Sequence, residues 1–131
     1  MAHTTLQAAN VVLMSFSGDY TKITPHYEFD LNQFRDPMHK FRDKRGRDAE
    51  VQSWISTDVR LPAIIGFVKI MVSDVIDKQA QGWIAISFRD YHGRWKSEAV
   101  TELVADALER LGYKVHVFHS LTSPLPVGGV C

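Results

Sequence analysis

The chain has 131 residues, 45% apolar and 23% charged, with fifteen basic and fifteen acidic side chains, which is the size and make-up of one globular domain with a real core. A formal net charge of zero excludes a partner recruited by global charge, leaves recognition to local clusters, and leaves little self-repulsion against association. The single Cys131 excludes an internal disulfide, and apolar runs broken by Lys69 and Asp74 exclude a membrane-spanning helix.

Residues 1–9 are small and polar and read as a flexible N-terminus without the basic and apolar regions of a signal peptide, so the cytoplasm is the expected location. Val11–Phe16 is an apolar run closed by Ser17–Gly18–Asp19, a strand ending in a turn. His26–Phe34 alternates, with Tyr27, Phe29 and Leu31 on one face and Glu28, Asp30 and Asn32 on the other, which predicts a half-buried strand. Asp36–Pro37 breaks it. Residues 35–47 then carry Arg35, Lys40, Arg42, Lys44, Arg45 and Arg47 against only Asp36 and Asp43, a net excess of four positive charges. Asp48 is placed to cap a short helix reaching about Thr57. The three-and-four spacing of Leu61, Ile64, Ile65, Val68, Met71, Val72, Val75 and Ile76 predicts the longest helix over Leu61–Gln81, ended by Gly82. Trp83–Phe88 reads as the next strand. Ser97 opens a helix whose apolar side holds Val100, Leu103, Val104, Ala107, Leu108 and Leu111, with Gly112 as its C-cap. Tyr113–Phe118 is a final strand, and residues 121–131 read as a flexible tail.

This order predicts a single α/β domain over residues 10–120, a mixed sheet of about four strands with about three helices. The strand Trp83–Phe88, its following helix and the last strand read as a βαβ crossover, with a ligand crevice at the carboxyl ends of the strands. The loops after Phe16 and Phe34 are expected at that same edge, bringing Ser17 and the basic cluster to it.

The segment from Ile84 to Ser97 carries the most chemistry. A strand runs into a polar loop and then into a helix N-terminus, whose free N–H groups and dipole favour an anion. Arg89, Arg94 and Lys96 add charge there, and His92 adds a donor. Tyr91 and Trp95 are large enough to stack on a sugar or base. The bland alternative is a solvated connection whose charges face water.

Several runs taken together resemble a known family. Phe29–Asp30–Leu31, Asp36–Pro37, Phe41–Arg42, Gly46, Asp48 and Glu50–Val51 look like the stretch after the early strand in the C-terminal domain of the RNase adapter protein RapZ. Ile84–Ala85–Ile86 with Gly93–Arg94–Trp95–Lys96–Ser97 resembles that family's IAIGCTGGKHRS loop. Val11–Ser17 is similar to its opening strand, and Gly112–Tyr113–Lys114–Val115 with His119 to its last. The resemblance implies a domain similar to part of phosphofructokinase that assembles into oligomers, binds a phosphorylated amino sugar and contacts small RNA. Gly93 and Ser97 match the ligand loop, Arg94 and Lys96 stand where the family also has cations, and Arg42 matches a family arginine. Trp95 replaces a histidine, and Phe88–His92 replaces cysteine–threonine–glycine, which loosens the amino-sugar assignment. The family's P-loop motif is not found in these 131 residues.

The expectation is therefore a non-enzymatic binding domain for a sugar phosphate or nucleotide, using Arg42, Arg89, His92, Gly93, Arg94, Trp95, Lys96 and Ser97. The alternative is RNA or other nucleic acid held by Arg35, Lys40, Lys44, Arg45 and Arg47, a salt-sensitive and sequence-blind contact. Expected partners also include further copies of the chain and a full-length RapZ-like protein, with no membrane. Phosphate chemistry of the cysteine type needs a nucleophile inside the loop, which Cys131 does not supply. No two of the six histidines stand at i, i+4, so neither a metal site nor a cofactor is expected.

Overall fold

The computed structural model describes residues 3–17, 24–34, 44–78, 82–90 and 96–120. Four strands and three α-helices follow in the order β1 (Val11–Ser17), β2 (Tyr27–Asp30), α1 (Ala49–Ile55), α2 (Arg60–Val72), β3 (Ile84–Asp90), α3 (Lys96–Arg110) and β4 (Val115–His119). The strands form one sheet in the order β2-β3-β1-β4. All three pairings are parallel, where the sequence suggested a mixed sheet. The reason lies in the connections: helices separate β2 from β3 and β3 from β4, and return the chain to the starting end before the next strand begins.

Strand alternation sorts the side chains into two layers. Val11 and Leu13 of β1, Ile84, Ile86 and Phe88 of β3, and Val115 of β4 face the helices and form one core with Val51, Ile55, Leu61, Val68, Val72, Val100, Val104 and Leu108. Phe29 of β2 stacks on Phe88 with ring centroids 5.5 Å apart, in register with it. Val12, Met14, Phe16, Ala85 and Phe118 form a second cluster on the other face, against which Leu6 packs.

Two elements differ from the sequence reading. The strand expected over His26–Phe34 is confined to Tyr27–Asp30, because the Asp30 carboxylate accepts the Asn32 N–H at 2.9 Å and turns the chain. The long helix is split: α2 ends at Val72 and widens into a π-helical segment, Ser73–Lys78, so α3 with 15 residues is the longer α-helix. The end of α3 is as the sequence indicates. Gly112 has φ +96, and the Tyr113 and Gly112 N–H groups close on the Leu108 and Glu109 carbonyls. Leu111, expected on the apolar stripe, lies beyond the last helical turn and is exposed.

Residues 3–9 carry a single 3-10 turn, Leu6–Ala8, and lie against the edge strand β4. The Thr4 N–H donates to the Val115 carbonyl at 2.8 Å. The sequence had read this stretch as a loose terminus. The tail 121–131 lies outside the described residues. No helix among the described residues is long and apolar enough to cross a membrane.

Candidate functional site

The connection after β1 leads toward β2, and the one after β3 leads through α3 across β1 to β4. The chain therefore leaves the carboxyl ends of β1 and β3 in opposite directions, the arrangement that opens a crevice in a parallel sheet. The last pair of that ladder is Ser17 with Asp90. The first turn of α3 follows, and it is buried: Lys96 is 8% exposed, and Ser97 and Glu98 are fully enclosed.

Three interactions organise this turn. The Asp90 carboxylate accepts the Ser97 N–H at 3.2 Å and the Ser97 hydroxyl at 3.4 Å, so an acidic side chain from β3 caps α3 and answers its dipole. The Thr101 hydroxyl donates to the Ser97 carbonyl at 2.6 Å. The Glu98 carboxylate is held by Arg45, with Nη2 at 2.7 Å and Nε at 3.4 Å. Arg45 comes from the segment before α1, where its own N–H donates to the Asp48 carboxylate at 2.6 Å. Asp48 was expected to cap α1 with its side chain. It stands at the N-cap position but turns back to Arg45 instead, closing the turn that presents the guanidinium to α3.

The structure brings part of the expected ligand set together. Lys96 and Ser97 stand at the crevice, and the basic cluster reaches it through Arg45. Among the described residues the Lys96 side chain makes neither a hydrogen bond nor an ion pair, though it is 8% exposed in the first turn of a helix. Arg42, His92, Gly93, Arg94 and Trp95 lie outside the described residues. Arg89 does not join the group. Pairing with β1 continues β3 to Asp90, two residues beyond the expected end at Phe88, and alternation then puts Arg89 on the face opposite Asp90. There it pairs with Glu28, Nη2 to Oε2 at 2.8 Å and Nε to Oε1 at 3.1 Å, and the Ser87 hydroxyl donates to the same carboxylate. Burial would raise the Glu28 pKa, but these hydrogen bonds from Arg89 and Ser87 hold it below the usual carboxylate value.

Of the cations assigned to nucleic acid, Arg35 and Lys40 lie outside the described residues. Lys44 pairs with Glu50 at 3.3 Å, Arg45 is committed to Glu98, and Arg47 is exposed.

Sequence reasoning missed a second polar assembly. The Ser15 hydroxyl lies 2.7 Å from His119 Nδ1, and His119 Nε2 donates to Glu102 at 2.6 Å. The other Glu102 oxygen accepts from His3 Nε2 at 2.9 Å, and His3 Nδ1 donates to Glu109 at 3.0 Å. Burial would raise the Glu102 pKa, yet the hydrogen bonds from His119 and His3 pull it down to about 2. His3 is raised to about 9, first by its hydrogen bond to Glu102 and against the opposing effect of burial. One clue was available: Glu102 and Glu109, seven residues apart, share a face of α3. Serine, imidazole and carboxylate in a row suggest an activated nucleophile. Ser15, however, is 1% exposed, so its hydroxyl is sealed from any substrate.

None of the curated proteins compared with the chain matches it. The family model described as the RapZ C-terminal domain matches residues 9–122, and the chain belongs to that family.

Proposed function

We propose that this chain is a non-enzymatic binding domain for a phosphorylated small molecule, a sugar phosphate or nucleotide, seated where α3 begins at the carboxyl ends of β1 and β3. The observation that carries the reading is Lys96, 8% exposed, at a helix N-terminus and without an ion-pair partner among the described residues. A buried lysine charge is costly unless something neutralises it, and a phosphate does so where the helix dipole has the same preference. Membership of the RapZ C-terminal domain family supports the same reading. Arg42, His92, Gly93, Arg94 and Trp95 belong to the proposed ligand set on their sequence pattern, and self-association in the cytoplasm belongs to the proposal as well.

The test is a thermal-shift and calorimetric screen at fixed salt. It compares sugar phosphates, mono- and cyclic nucleotides, inorganic phosphate and a short RNA, on the natural chain and on Lys96→Ala. A ligand at a hundredfold its Kd stabilises by about 2.7 kcal/mol. Stabilisation by one class of organic phosphate, lost in Lys96→Ala, is the expected result. No response to any phosphorylated compound overturns the proposal. A response to RNA alone that fades with salt moves the function to the basic segment around Arg47.

A further inference from the structure

We infer that residues 3–9 form a charge-locked strap around the edge of β4, one that opens when His3 loses its proton and so uncovers that edge. The strap starts on the helix side of the sheet, where His3 sits between Glu102 and Glu109 of α3. It crosses the edge at Thr4, whose N–H donates to the Val115 carbonyl and whose own carbonyl lies 3.1 Å from His116 Nδ1. It ends on the opposite face, where Leu6 packs on the cluster of Val12, Met14, Phe16, Ala85 and Phe118. One short segment thus engages both faces and the rim of an edge strand, a place where exposed backbone groups invite pairing with another chain.

The lock is ionic by geometry. Both ring nitrogens of His3 face carboxylate oxygens, which only accept, so both must donate and the ring must be an imidazolium. The groups around it fix its sign. Glu102 divides its two oxygens between His3 and His119 of β4. Glu109 has its other oxygen buried without a partner, so among the described residues His3 alone answers its charge. Asp106 lines the same 300 Å³ cavity but is taken up by Arg110 at 2.6 Å. Among the described residues, Arg47, in front of α1, is the opposing cation on the cavity wall. Loss of the His3 proton removes one of the two donors and leaves the half-buried Glu109 carboxylate, whose other oxygen is buried without a partner, underserved. Residues 3–8 of the strap also precede the span matched by the family, residues 9–122, while its acceptors lie within it.

The test is amide exchange of Thr4, followed by NMR and corrected for intrinsic rates, in the natural chain and in His3→Gln and Glu109→Gln. A pKa raised from 6.5 to about 9 corresponds to a loss of up to roughly two orders of magnitude in strap closure between pH 6 and pH 10. The natural chain should lose Thr4 protection over that range while amides inside β1 keep theirs. His3→Gln should show low, pH-independent Thr4 protection with the core amides unchanged. Glu109→Gln should shift the opening to lower pH. Thr4 protection that does not vary with pH in the natural chain, or that is unaffected by His3→Gln, overturns the inference.

Discussion

Arg45→Ala is the substitution that most directly probes how the crevice is held together. Glu98 is fully enclosed in the first turn of α3, and its carboxylate is held by the Arg45 guanidinium at 2.7 and 3.4 Å. Removing the cation strands a buried negative charge, a change worth about 3–5 kcal/mol when the partner is fully enclosed. The Arg45 side chain is 29% exposed, so water reaches part of the vacated space and the expected loss lies near the lower figure, about 3 kcal/mol. Urea unfolding at pH 7 measures it, with Glu98→Gln and the double variant completing a cycle. The double variant should recover much of the loss, because a neutral amide no longer needs a cation. A loss below about 1 kcal/mol, with no coupling in the cycle, would show that this pair behaves like an exposed ion pair and would refute the argument.

Other expectations concern the cap, the pH limits, the helix end and the core. Asp90→Ala should cost about 1–2 kcal/mol by uncapping α3, read from the same urea transitions, and should weaken any phosphorylated ligand by displacing the Ser97 N–H. The His3 contribution to stability is complete below 6.5 and is lost as pH rises through about 9, while that of Glu102 is complete above 4.5 and is lost as pH falls toward about 2. Thermal midpoints should therefore hold between those inner values, and His3→Gln should flatten the alkaline limb. Gly112→Ala meets no atom within 4 Å, so its cost should be that of the left-handed backbone alone, about 1 kcal/mol or slightly more in urea unfolding. Phe88→Ala removes an enclosed ring stacked on Phe29 and should cost about 3–5 kcal/mol by the same measurement.

What the sequence determined by itself is whatever neighbours along the chain decide. The apolar run Val11–Phe16, period two from His26, period three-to-four from Leu61, the glycine after Leu111 and the polar step into Ser97 identified the elements in order, and the spaced motifs around Asp36–Pro37 and Gly93–Ser97 identified the family. These signals are local because strand alternation, helix periodicity and left-handed caps act over a few residues. The tertiary structure decided which polar groups meet. Only the pairing of Ser17 with Asp90 shows that β3 continues far enough to turn Arg89 away from the crevice. Only the sheet order brings Arg45 to Glu98, 53 residues on, and His3 to Glu102, 99 residues on. Contacts at such separations follow from the order of strands in the sheet, and no local period along the chain records them.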